Sequence, residues 1–106
     1  MAFQMSFTDN FGVVYPESYW KVVATNICQA DKVGNVTFYG YQDEANKGKR
    51  IIGTKNYAVS NGAYLACFDV DSLNPNGANP VAASYVHALA TKDVDSISFF
   101  ENALVV

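Results

Sequence analysis

A single histidine and only two cysteines leave this chain short of the side chains from which most metal and catalytic sites are built. With His87 as the only imidazole, a histidine-rich metal site is excluded. Cys28 and Cys67 could close at most one bridge, whereas small secreted scaffolds carry a denser disulfide framework; both are read as reduced and buried in the core. Charge is also scarce, at 16% of residues, and the formal net charge of −3 argues against a general nucleic-acid binder, which would be strongly basic. No apolar run approaches the length of a membrane span, so no membrane partner is expected. The opening MAFQMSFTDNF alternates apolar and polar residues where a secretory signal would carry a basic segment and a continuous apolar one. No internal repeat, low-complexity tract or boundary interrupts the 106 residues, which read as one domain, 1–106.

Apolar bulk is abundant by contrast. Half of the residues are hydrophobic, and seven Phe, seven Tyr and Trp20 exceed what a compact core of this size uses. Some of that surface is expected to meet another chain.

The pattern is mostly that of strands. Phe3, Met5 and Phe7 alternate with polar neighbours, the period of a half-buried strand. Asp9–Gly12 is a turn across which Val13–Tyr15 pairs back, and Pro16 interrupts that segment. Tyr19–Gln29 is the longest strand candidate, followed by a polar loop from Ala30 to Asn35 and a strand at Val36–Gln42. Gly40 inside that strand marks a bulge or a close contact. Ile51–Ser60 is the next strand, weakened by Gly53 and Asn56; Asn61-Gly62 is a hairpin turn, and Ala63–Val70 returns with Tyr64, Ala66 and Phe68 on one face. Asn79 caps a helix with Pro80 at its first position, running to about Thr91, and Ala82, Tyr85, Val86 and Leu89 form its buried face. The expected fold is mainly β within the α+β class: a small antiparallel β-sheet or open barrel with one C-terminal helix packed on it.

Candidate chemical sites are few. The stretch ANKGKRIIGTK, residues 45–55, holds Lys47, Lys49 and Arg50 around a Gly-Lys pair. A phosphate-binding loop would need glycine at Asp43, a hydroxyl residue at Arg50 and a helix afterwards, and none of these is present. The stretch reads as a solvated hairpin tip, with docking to an acidic neighbour as its functional alternative. The loop from Asp69 to Gly77 is rich in oxygen ligands, yet Leu73, Asn74 and Pro80 occupy calcium-loop positions that require other residues; turns leading into a helix explain it, with an irregular ion site left open. His87 shares the polar helix side with Pro80, Ser84 and Thr91 and is expected to be exposed or at an interface. A pairing of Cys28 or Cys67 with His87 has no nucleophile motif around it. No catalytic residue, metal ligand or cofactor site is assigned.

Two features point to assembly. The chain ends in Phe99, Phe100, Glu101, Asn102, Ala103, Leu104, Val105 and Val106, apolar to its last residue, where free termini are usually polar. Such an end must tuck into its own sheet or into a neighbour. The strand containing Tyr39 and Tyr41 has two apolar faces, and one helix cannot cover both faces of a sheet. Tyr39, Tyr41, Lys47, Lys49, Arg50, Phe99, Phe100, Leu104, Val105 and Val106 are therefore the candidate interface residues of a homo-oligomer.

The segments MAFQMSFTDNFGVVYPESYWKVV, GKRIIGTKNYAV and ASYVHALATKDVDSISFFENALVV resemble, in layout across most of the chain, small structural proteins encoded in bacteriophage and prophage morphogenesis regions. The resemblance implies a non-enzymatic virion component of a tail, baseplate, neck or capsid surface. Such a component is present in several copies, contacts other virion proteins and is assembled in the host bacterial cytoplasm. The other reading is a small soluble β-module that binds glycan or single-stranded nucleic acid through Tyr39 and Tyr41.

Overall fold

A computed structural model describes residues 2–60, 64, 68, 79–92 and 97–106. Five antiparallel strands form one open sheet: β1 (Phe3–Thr8), β2 (Val14–Cys28), β3 (Val33–Tyr41), β4 (Ile51–Ser60) and β5 (Leu104–Val105), in the spatial order β4-β3-β2-β1-β5. Helix α1 (Pro80–Ala90) packs on one face. The sheet is open, so the barrel alternative falls away.

β2 is longer than the alternation alone predicts because Pro16 does not break it. Met5 pairs with Ser18 and Phe7 with Tyr15, so Pro16 and Glu17 together oppose Ser6 in a bulge. There a missing N–H removes no ladder bond. The same bulge sets a buried relay: Trp20 Nε1–H donates to the Ser18 hydroxyl at 2.9 Å, and that hydroxyl donates to the Met5 carbonyl at 2.6 Å. β3 starts at Val33 rather than Val36, because the register continues through Cys28↔Val33 and leaves only a short β2–β3 connection.

Gly40 and Gly53 are paired across β3 and β4, beside Trp20 on β2, and they form a floor for its indole. A Cβ at Gly40 would lie 2.7 Å from the ring, and one at Gly53 2.8 Å from it. The ladder also shifts register between Gly40 and Tyr41, so both readings of this glycine hold. Above the floor, Phe3, Phe38, Tyr85 and Phe100 pack with centroids 4.5–6.0 Å apart in mostly edge-on or tilted arrangements, the geometry aromatic quadrupoles favour.

The helix begins as its caps dictate: the Asn79 side chain accepts from the Ala82 amide at 3.2 Å, with Pro80 in the first turn. Its orientation differs from the apolar stripe. Ala83, Ser84, Tyr85, His87 and Ala88 are buried, whereas Val86 and Leu89 are exposed and Ala82 is half-buried. Small residues let the helix approach the aromatic layer, and local acceptors remove the cost of burying hydroxyls. Ser84 donates to the Pro80 carbonyl at 2.6 Å, and Ser98 reaches the Ala88 carbonyl at 2.7 Å. Tyr85 then fixes the rotation, because its hydroxyl accepts the Val22 amide at 3.1 Å, beside the β2 bulge between Val22 and Ala24.

The expected hairpin turn at Asn61-Gly62 and the oxygen-rich loop from Asp69 to Gly77 lie outside the described residues. Most of the expected strand Ala63–Val70 does too. Its described members Tyr64 and Phe68 are buried, but the Phe68 amide donates to the Tyr64 carbonyl at 2.8 Å, a helical turn rather than an extended strand.

Candidate functional site

The face of the sheet opposite α1 gathers several of the candidate interface residues. Ile51, Tyr41, Tyr19, Gln4 and Leu104 are successive ladder neighbours, so one row crosses all five strands. Thr54, Tyr39 and Lys21 make the adjacent row on the same side. Beyond it, Ala2 and Val106 exchange two backbone bonds of 2.9 Å. Ala2, Tyr19, Tyr41 and Tyr39 form a hydrophobic cluster separate from the helix-covered core.

The basic loop covers one end of this face. The Asp43 carboxylate accepts from the Asn46 backbone amide at 2.9 Å and from its side-chain amide at 2.7 Å, closing a 3-10 turn at Glu44–Asn46. Gly48, at φ +79°, completes the reversal. The Lys47 ammonium consequently lies over the Tyr19 ring, 5.9 Å from its centroid, within reach of a cation–π contact. Lys47, Lys49 and Arg50 are exposed around a hydrogen-bonded turn, and a strand rather than a helix follows, so the phosphate geometry is lacking.

The candidate residues therefore separate into groups. Tyr39, Tyr41, Lys47, Leu104 and Val106 meet on the face opposite α1, with Lys49 and Arg50 in the loop bordering it. Val105 opposes Phe3 and so faces the helix side. Phe100 is fully buried in the chain's own core, and Phe99 is half-buried against Phe7 and Trp20. The apolar C-terminus tucks its backbone into its own sheet while leaving Leu104, Val105 and Val106 at 65%, 54% and 48% exposure. Sequence reading missed Tyr19, Lys21 and Ile51 on this face; the odd-numbered parity of Tyr19 and Lys21, opposite to Trp20, was the available signal. It also missed Phe11, Val13 and Val14, exposed at the β1–β2 turn.

The nucleophile candidates do not converge. Cys28 is an exposed free thiol at the end of β2, not a core residue, and its contact is Asp31 at 3.5 Å. Cys67 lies outside the described residues. His87 is buried rather than exposed, enclosed by Tyr57 and Phe68 ring edges with the Thr91 hydroxyl 3.3 Å from Nε2, and burial lowers its pKa. Among the described residues, no three His, Cys, Asp or Glu side chains cluster as a metal site, and no helix is long and apolar enough to cross a membrane. Comparison with family models, curated proteins and solved structures finds no match to this chain.

Proposed function

We propose that this protein is a non-enzymatic structural subunit of a bacteriophage virion, built into a tail, baseplate, neck or capsid surface. It works through interfaces with further copies of itself and with other virion proteins, and it is assembled in the host bacterial cytoplasm. The phage assignment rests on the resemblance in layout. The observation carrying the assembly reading is the edge strand β5, which is paired to β1 through its backbone yet presents Leu104 at 65% exposure. It lies on the same row as Tyr19 and Tyr41 on the face opposite α1. Exposed apolar side chains continuous with a sheet edge are the usual substrate of subunit contact. A ligand-binding module resting on Tyr39 and Tyr41 is the other reading; the near-complete burial of Tyr41, at 7% exposure, weighs against an open stacking platform.

Light scattering over a concentration series tests the proposal on the full chain and on a Leu104→Ser, Val106→Ser double variant. The expected result is a discrete oligomer for the parent and a folded monomer for the variant. A parent that stays monomeric throughout would overturn the self-assembly part. Deleting the whole terminus would be uninformative, because Phe100 belongs to the core.

A further inference from the structure

A cleft of about 420 Å³ beside the basic loop has Lys21, Val23, Tyr41, Lys47 and Gly48 among its lining residues. Two ammonium groups therefore line one opening. The register puts Lys21 on the face opposite α1, paired with Tyr39 and one row from Tyr19 and Tyr41. Lys47 arrives from the loop. Its amide donates to the Glu44 carbonyl at 3.2 Å, the Asp43 carboxylate ties down Asn46 next to it, and its ammonium lies over the Tyr19 ring. The backbone carrying Lys47 is thus ordered before any partner arrives, which lowers the entropy lost on binding. The extra residue of the β2 bulge, Val23, adds an apolar side chain that is 41% exposed.

These charges are not neutralised within the chain. Among the described residues, no carboxylate forms an ion pair with Lys21, Lys47, Lys49 or Arg50. No Asp or Glu occupies a paired position anywhere in the sheet, and Glu17 falls in the β1–β2 bulge. Of the two acids in the loop, Asp43 is engaged by Asn46 and Glu44 is exposed. Like charges on one cleft repel, modestly in water and more strongly as solvent is displaced. An anion between them removes that repulsion, so the cleft is complementary to a negative group.

We propose that this cleft docks an acidic segment of another virion protein, with one of its carboxylates between Lys21 and Lys47 and its apolar atoms against Val23. The inference rests on the assembly reading and supplies the chemistry of one partner. Charge distribution favours a short protein segment over nucleic acid. The chain carries ten acids against seven bases, and four of those bases are Lys21, Lys47, Lys49 and Arg50. A nucleic-acid strand running past this patch would meet the acids that outnumber bases elsewhere. A few carboxylates engage the patch alone, within the roughly 8–10 Å over which charges act at physiological salt. Stacking is also denied to bases, since Tyr19 and Tyr41 are 8% and 7% exposed. The cleft draws on β2, β3 and the loop, with β1 between it and β5, so docking and self-association through β5 engage different strands.

Fluorescence anisotropy with a labelled oligoglutamate peptide tests the inference on the full chain. The parent should bind, more weakly as salt rises. Lys21→Glu and Lys47→Glu should each weaken binding by about tenfold or more, whereas Lys92→Glu, the same charge change beyond α1, should alter it by no more than about twofold. All three side chains are exposed, and circular dichroism verifies the fold of each variant. Equal losses from all three would overturn the proposal, because net charge rather than this cleft would then set binding. A parent that ignores the peptide at low salt would overturn it too. So would tighter binding to a thymidine oligonucleotide of the same charge, which would make the face a nucleic-acid surface. Light scattering separates these outcomes from self-association. A parent that forms its oligomer yet takes no peptide loses the cleft and keeps the assembly reading. A monomeric parent whose peptide binding is lost in Lys21→Glu keeps the cleft and loses self-assembly.

Discussion

The two faces of this sheet solve burial in different ways. On the helix side, Phe3, Trp20, Phe38, Tyr85 and Phe100 are at most 2% exposed and touch ring to ring. On the other side, Tyr19 and Tyr41 are buried in a second cluster with Ala2, beside the Lys47 ammonium over the Tyr19 ring, while Tyr39 stays half-open. The covered face fixes shape, since each ring is constrained by several others and small volume changes are felt. The face opposite the helix carries tyrosines, whose rings combine an apolar body with one polar atom, as its second cluster. Substitutions should therefore separate into those that disturb the fold and those that disturb association.

The largest expected effect comes from the indole floor. Gly40→Val would place branched carbon where Trp20 already lies at 2.7 Å from a Cβ. Both partners are anchored, the ring by Ser18 and the glycine by its ladder, so neither can yield freely. A loss of about 3 kcal/mol is expected, read as a lower urea midpoint at unchanged slope. A neutral outcome would mean that the indole does not rest on β3, and the contrast between the faces would collapse.

A smaller effect tests how the helix is held. Tyr85→Phe keeps the ring in the aromatic layer but deprives the Val22 amide of its acceptor at the β2 bulge. The expected loss is about 1–2 kcal/mol in the same denaturation measurement, the cost of stranding a partly buried donor. An unchanged midpoint would show that water replaces the hydroxyl and that packing alone sets the helix rotation.

That rotation is where sequence and structure part most clearly. β1 and β4 were legible from alternation and turn residues, and the helix boundaries from Asn79 and Pro80, because those signals are local. The buried helix face was not. Hydrophobicity points to Val86 and Leu89, but close approach to a layer of large rings favours Ala83, Ser84 and Ala88, with hydroxyls satisfied by carbonyls a turn away. Pro16 misled for a similar reason, since its bulge depends on the register with β1 rather than on its own neighbours. Of the candidate site, the C-terminal residues and tyrosines were visible as apolar excess. Their division between Phe100 in the core and Leu104 at the surface depends on a turn between them: the amides of Glu101 and Ala103 donate to the carbonyls of Ser98 and Phe100.

The subtlest difference between the faces is their response to acid. His87 is the imidazole that the covered face buries, beside the Tyr57 and Phe68 rings, and desolvation lowers its pKa below the ordinary 6.5. The unfolded chain therefore binds the proton more readily than the folded one. The stability this contributes is present above about pH 6.5 and is lost as pH falls through the folded value. Urea midpoints should begin to decline as pH falls through about 6.5, the unfolded imidazole's value, above the range where ordinary carboxylates dominate. His87→Gln should flatten that decline even if it lowers the midpoint overall, because glutamine does not titrate. A decline of equal size in the variant would assign the acid sensitivity to carboxylates elsewhere and would place His87 in contact with water.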